Sequence, residues 1–207
     1  MSEPFFSVIV PAHNIGMDIR KCLDSIKMQT FTDYELIVVC DNCYTKMEFE
    51  IAMEYADNVI ETNYGMDGLA RNAGIDAARG RWLMFLDDDD WWIHEYVLEE
   101  VFNTIYSLVH VQLVLFDFIW KDAPPHKEKY YVQDINNVNI AVWSKAFRRD
   151  LIGDTRFPGI LFTSDKPFMD AICEKHPVAY PMRKLMYYYN YMRKGSQTEE
   201  HARGGGD

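Results

Sequence analysis

Four aspartates in a row, Asp87, Asp88, Asp89 and Asp90, follow directly on the apolar run RWLMFL. Adjacent carboxylates repel one another, and a bound divalent cation is the usual relief. The competing account is a solvated acidic turn that caps a helix starting near Trp92, since aspartate suits helix N-termini. A second constellation is Cys40-x-x-Cys43, which together with Cys173 and His176 has the ligand types of a zinc site. Those two pairs lie far apart in the chain, and a redox C-x-x-C opens a helix where this one ends a strand. Buried or incidental thiols account for the cysteines better.

These groups must be held by the elements around them. Residues 7–10 (SVIV) form a short β-branched run stopped by Pro11, the pattern of a buried strand. Over 17–28 Ile19, Leu23 and Ile26 recur at helical spacing among charged residues, which predicts an amphipathic helix. Residues 35–40 (ELIVVC) predict a second buried strand ending in the turn formers Asp41 and Asn42. A helix over 46–55 and a brief strand over 58–61 come next. The alanine-rich stretch GLARNAGIDAARG is then a helix ended by Gly80, feeding into the strand RWLMFL.

Strand and helix alternating at this rhythm predict an α/β domain with a largely parallel sheet. Ligands of such sheets gather at the carboxyl ends of the strands. Here those ends carry Pro11, Ala12, His13 and Asn14, then Asp41, Asn42 and Cys43, then the aspartate run, all on one edge. Further along, helices are expected over 93–109, 142–152 and 166–174, a strand over 113–120, and a polar loop over 121–129 with Pro124 and Pro125. Asp165 is placed to N-cap the last helix, with Pro167 early in it. Tyr187, Tyr188 and Tyr189 alternate with apolar residues as strand packing, and the glycine-ended C-terminus reads as a flexible tail.

Composition removes several classes. With Lys+Arg at 21 and Asp+Glu at 32, the formal net charge of -11 argues against a nucleic-acid binder. Such a protein handling phosphates would import positive charge as a metal. At 207 residues the chain is of single-domain size, and no apolar run approaches the ~20 residues of a spanning helix. Glu3 near the N-terminus and few cysteines point to no cleavable signal and a reducing, cytoplasmic setting. No G-x-G-x-x-G follows a strand, and PAHNIGMD is not the glycine-rich basic loop of a nucleotidyltransferase.

SVIVPAHN, then ELIVVCDN, then NYGMDGLARNAGIDAARGRWLMFLDDDD, followed by WSKAFRRDLIG and FPGILFTSDKPFMDAI, resemble the inverting family 2 glycosyltransferases of GT-A fold. The likeness runs over roughly residues 5–195. It implies a Rossmann-like, mostly parallel sheet with helices on both faces. One GT-A domain over 1–207 would comprise a nucleotide-sugar half (1–92), a smaller acceptor half (93–195) and a tail (196–207). The implied activity is metal-dependent, inverting transfer of a sugar from a nucleotide-diphosphate donor, most often a UDP-sugar, to a hydroxyl. The setting would be polysaccharide or glycoconjugate synthesis, on a carbohydrate or lipid-linked glycan acceptor at the cytoplasmic face of a membrane, with possible peripheral association.

Carried over by residue, the resemblance makes Pro11, Ala12, His13 and Asn14 the lining of a nucleotide pocket. Asp41 accepts a hydrogen bond from the base, and Arg71 sits near the base or phosphates. Asp87 and Asp89 become the acids of a D-x-D element, with Asp88 between them. Asp87 approaches ribose or metal, and Asp89 holds the Mn2+ or Mg2+ that bridges the diphosphate. Asp165 takes the place of the general base. Cys40 departs from a usual aspartate, Asn42 and Cys43 from Gly-Ser, and Ser164 from a frequent glutamate. Arg193, Lys194 and Ser196 are candidates for a basic segment closing over the diphosphate, with His201 left outside the site. Trp91, Trp92 and Trp120 could stack on a sugar, though at least two of the three are expected in the core. The rival reading is a catalytically inactive sugar- or nucleotide-binding module, whose mark would be loss of Asp89 or Asp165. Both are present.

Overall fold

The structure, a computed structural model, describes residues 3–13, 19–43, 46–121 and 128–190. Its first half is an alternating unit of β1 (Phe6–His13), α1 (Ile19–Lys27), β2 (Tyr34–Asp41), α2 (Lys46–Tyr55), β3 (Asn58–Thr62), α3 (Asp67–Ala77) and β4 (Trp82–Phe85). These strands lie in the order β3-β2-β1-β4, every pair parallel. Parallel strands covered on both faces need apolar side chains at successive positions, which is why the runs SVIV, ELIVV and WLMF are continuous. Val8, Val10, Leu36, Val38, Trp82 and Met84 pack toward α1 and α2, meeting Ile19, Leu23, Ile26 and Ile51. Their neighbours Ile9, Ile37, Val39, Leu83 and Phe85 face the other way, toward Ala70 and Ile75 of α3.

The second half extends the same sheet. It contains β5 (Trp91–Trp92), α4 (Val97–Ser107), β6 (Leu113–Lys121), β7 (Glu128–Tyr131), β8 (Lys145–Arg148), α5 (Arg149–Ile152), α6 (Asp165–Glu174) and β9 (Ala179–Tyr189), with a 3-10 turn at Val142–Ser144. The nine-stranded order continues from β4 through β8, β6 and β9 to β5, with β7 paired to β6. Strand β8 is antiparallel to both β4 and β6 and so joins the two halves. Strand β9 runs parallel to β6. Val97, Leu98 and Val101 of α4 join the core on the α1 side, whereas Phe168, Met169 and Ile172 of α6 join the α3 side.

Four expectations are corrected here. The first strand is not stopped by Pro11 but runs through it to His13, with Pro11 opposite Val39 of β2, while β4 pairs with β1 only as far as Ile9. Residues 142–152 do not form one helix but the 3-10 turn, β8 and α5 in succession. Their apolar residues satisfy a helical period, yet Ala146 and Phe147 point to opposite faces of a strand wedged between β4 and β6, so tertiary pairing overrides the local pattern. The polar loop after residue 120 is shorter than expected at both ends, because β6 runs through Lys121 and β7 begins at Glu128. The helix expected from Ile93 starts at Val97, and Trp91–Trp92 is a short strand paired to Tyr187 and Tyr188. The aspartate run therefore leads into a strand and does not cap a helix.

Two close approaches fix the layers. A Cβ on Gly74 would fall 2.4 Å from Ile9 Cγ2, so α3 can lie against β1 only without a side chain there. At the amino ends of the strands, away from the aspartates, Glu35 accepts hydrogen bonds from Ser7 Oγ (2.6 Å), the Arg79 amide (2.7 Å) and Arg79 Nε (2.9 Å). Burial would raise the Glu35 carboxyl, but these donors hold it below the usual carboxylate range. Among the described residues no helix is long and apolar enough to cross a membrane.

Candidate active site

The carboxyl ends of β1, β2 and β4 meet at one edge of the sheet. Parallel pairing sets His13 beside Asp41, and the His13 ring nitrogen Nδ1 lies 2.9 Å from the Asp41 carbonyl. Asp41 is buried. Its carboxylate accepts from Thr62 Oγ1 (2.9 Å) and the amides of Tyr64 (2.6 Å) and Met66 (3.2 Å), which anchors the loop between β3 and α3. Pro11 and Ala12 are buried within β1, and Ala12 packs in the core, leaving His13 as the partly exposed member of that trio. Asn14 lies outside the described residues, as do Arg193, Lys194, Ser196 and His201.

The four aspartates occupy four different environments. Asp87 accepts a hydrogen bond from Arg71 at 2.7 Å. Asp88 accepts one from the His13 amide at 3.1 Å. Asp89 remains partly exposed, and its charge bears on both Asp87 and Asp90. Asp90 is fully buried and accepts from the Tyr187 hydroxyl (2.5 Å) and the Asn190 amide (2.7 Å). Asp90 is therefore structural: it ties the aspartate loop to the end of β9. Burial pushes the Asp87 carboxyl up to about 6, Arg71 opposes the rise, and the charges of Asp165 and Asp89 add to it.

Arg71 is the hub of the edge. Its side chain is only 4% exposed and pairs with Asp67, one helical turn earlier, with Asp87, and at 3.5 Å with Asp165 Oδ1. Burial alone would weaken the guanidinium's hold on its proton, but these three acids more than offset that. The approach of α3 to α6 depends on Gly68, where a Cβ would stand 2.9 Å from Ser164 Cβ and 3.0 Å from Phe157 Cβ. Asp165 is not the N-cap of α6, a position held by Ser164, but its first residue, and its carboxylate accepts the Val142 amide at 3.2 Å through Oδ2. Burial holds its carboxyl above the usual range, against the opposing pull of Arg71, the Val142 amide and Lys145.

Asp67, Arg71, Asp87 and Asp165 form one side of a cleft of about 550 Å³. The other walls are aromatic and apolar, with Phe118, Trp120, Tyr131, Trp143, Phe162 and Tyr189. Trp143 is braced from behind by stacking on Tyr187 at 4.4 Å, and the wall residues Phe118 and Tyr131 stack on each other at 4.8 Å. Of the three tryptophans singled out in the sequence, Trp92 is core, Trp91 is stacked on Tyr188 at 4.2 Å, and Trp120 faces the cleft. Tyr187 is strand packing as expected, whereas Tyr189 also lines the cleft.

The sequence reading missed Asp67, Lys145, Trp143 and Tyr131. Asp67 had a signal in its (i, i+4) spacing to Arg71, but the others depend on strand pairings with no local signature. None of Cys22, Cys40, Cys43 and Cys173 is joined in a disulfide. The side chain of Cys40 packs on the α1 side of the sheet while Cys173 belongs to α6 on the opposite side, so the split zinc site does not assemble. Among the described residues no three His, Cys, Asp or Glu side chains are grouped to hold a metal unaided. The aspartates are nonetheless hard oxygen donors of the kind Mg2+ and Mn2+ prefer, and a cation would offset both the burial that raises Asp87 and the neighbouring charges of Asp165 and Asp89 that add to it.

Comparison with known proteins gives a consistent result. The model of the family described as "Glycosyl transferase family 2" matches residues 7–165. The putative glycosyltransferase EpsH of Bacillus subtilis is 40% identical over 97 residues, which is 44% of this chain and 28% of that protein. The chain spans only about a third of the length of the curated relatives it matches. A crystal structure of S. aureus TarS in complex with UDP-GlcNAc superposes with a TM-score of 0.78 at 24% identity, covering 94% of this chain and 60% of that one. The mannosyltransferase PcManGT of Pyrobaculum calidifontis, in complex with GDP-Man and Mn2+, gives 0.68 at 18% identity, over 98% of this chain and 61% of that one. The fold is that of the GT-A glycosyltransferases. With three quarters of its length inside the family's boundaries, this chain belongs to glycosyl transferase family 2.

Proposed function

We propose that this chain transfers a sugar, with inversion, from a nucleotide-diphosphate donor to a hydroxyl of a carbohydrate or lipid-linked glycan acceptor. The carrying observation is the convergence of Asp165, Arg71 and Asp87 at one wall of an aromatic cleft, on the carboxyl edge of the parallel strands. A UDP-sugar is the favoured donor because TarS was crystallised with UDP-GlcNAc.

Asp165 lines the cleft beside Arg71 and Asp87, and burial makes its carboxylate a stronger base than an exposed one. In the proposed step it takes the proton of the acceptor hydroxyl as that oxygen bonds to the anomeric carbon. The bond from that carbon to the diphosphate breaks on the opposite face, and its electron pair leaves with the diphosphate. A single base suffices, and no covalent sugar intermediate forms.

Asp89 and Asp87 would hold Mn2+ or Mg2+, which would supply charge neutralisation to the leaving diphosphate. Arg71 fixes Asp87 and Asp165 relative to each other, so that the acid beside the diphosphate and the base beside the acceptor keep their separation. The aromatic walls offer flat faces to the apolar side of a sugar ring.

The test is UDP release from UDP-GlcNAc with Mn2+, in wild type and in Asp165→Asn. Loss of the base should lower turnover by about 10²–10⁴-fold with donor affinity retained. Equal turnover in the two proteins would remove Asp165 from the role.

A further inference from the structure

Lys145 is an oddity of the molecule: a lysine with no exposed surface, at the start of β8. Its ammonium donates to the Ala141 carbonyl at 2.5 Å and lies 3.4 Å from Ser144 Oγ. Ser144 is itself held by Gln133 Nε2 at 2.8 Å, and its hydroxyl donates to the same Ala141 carbonyl at 3.2 Å. The carbonyl of Ala141 and the N–H of Val142 belong to one peptide unit. In a planar trans peptide they point in opposite directions. The Val142 N–H donates to Asp165 Oδ2 at 3.2 Å. The chain of contacts is thus ammonium, peptide oxygen, peptide N–H, carboxylate.

We propose that Lys145 is a positioning residue for Asp165, acting through the Ala141–Val142 peptide, which it polarises and holds so that the N–H fixes one oxygen of the carboxylate. This rests on Asp165 being the base, as proposed above. A cation on a peptide oxygen draws electron density from the nitrogen and strengthens its N–H as a donor, and hydrogen bonds in such chains reinforce one another. Oδ2 is then committed to Val142 while Oδ1 remains on the Arg71 side of the cleft. A leucine or methionine would fill the same space without a desolvation cost, so an unexposed ammonium here needs a reason beyond packing.

Electrostatics agree with the geometry. Burial lowers the Lys145 ammonium to about 7, and Asp165 and Cys173 are the groups that pull it back up. Around Asp165 the charged groups are Arg71 and Lys145, which favour its ionised form, and Asp67 and Asp87, which oppose it. The two residues therefore stabilise each other's charged states.

The experiment is a pair of NMR titrations on the full chain. The Asp165 side-chain carboxyl is followed in wild type and Lys145→Met, and the Lys145 side chain in wild type and Asp165→Asn. The expected result is that the Asp165 pKa rises by about half a unit or more in Lys145→Met and that the Lys145 pKa falls in Asp165→Asn. In turnover of UDP-GlcNAc, Lys145→Met should lower kcat roughly tenfold and move its acidic limb upward by the same amount, with KM for the donor little changed. An Asp165 pKa and acidic limb that stay in place in folded Lys145→Met would overturn the proposal. If that variant does not fold, an unmoved Lys145 pKa in Asp165→Asn overturns it instead. Undiminished turnover by Asp165→Asn is a different failure: it removes the base assignment, whereas the titrations read the linkage without any turnover.

Discussion

Arg71 and Asp165, on helices α3 and α6, come within 3.5 Å of each other at the wall of the cleft. That contact links a helix of the first half to one of the second, on the same guanidinium that holds Asp87 of the aspartate loop. It is possible only because Gly68 lets the start of α3 approach Ser164.

Removing the guanidinium should be costly. Arg71→Met would leave Asp67, Asp87 and Asp165 crowded with no cation among them. Breaking a buried pair from one side costs about 3–5 kcal/mol, and a loss in that range is expected in urea unfolding at pH 7. The loss should shrink at pH 4, where Asp87 and Asp165, both raised by burial, take up protons. A loss below about 1 kcal/mol at pH 7 would mean that the pairs are solvent-relaxed.

Lys145→Met should move stability the other way. The folded chain releases the Lys145 proton at about 7, whereas an unfolded lysine holds it to about 10.5. Between those values the unfolded state binds more protons, so this group makes stability rise with pH across the window. Below it, burying the ammonium costs stability. A folded Lys145→Met is expected to be roughly 2–4 kcal/mol more stable near pH 6 and to lose that rise toward pH 10, read by urea unfolding. A variant more stable but slower would be a trade of stability for function.

The clamp at the far end of the strands supplies a contrast. Glu35 is held below the usual carboxylate range in the fold, so its contribution is present above the unfolded pKa and is lost as pH falls through the folded one. Glu35→Gln should cost about 1–3 kcal/mol at pH 7 and much less at pH 3, with turnover per folded molecule unchanged. A turnover defect in the folded variant would show that the clamp reaches the site.

What the chain discloses before folding follows from which forces are local. The three central strands are legible because burial on both faces demands unbroken β-branched runs, and the loops at their carboxyl ends follow from parallel pairing. The roles of Asp87, Asp88, Asp89 and Asp90 are not, since four identical neighbours differ only in the Arg71, His13 and Tyr187 groups that reach them from elsewhere. Strand β8 is hidden for the same reason. Residues 142–152 satisfy a helical period, and only the neighbouring β4 and β6 make Lys145–Arg148 a strand. Lys145 looks like a surface charge until that strand buries it.

The most direct measurement is calorimetric titration of UDP into the protein with and without Mn2+, repeated on Asp89→Ala. Binding that needs Mn2+, and weakens at least about tenfold in Asp89→Ala, is expected of a donor site at the aspartate edge. Wild-type protein that takes up no UDP in the presence of Mn2+, or Asp89→Ala that binds it as tightly as wild type, would contradict that site.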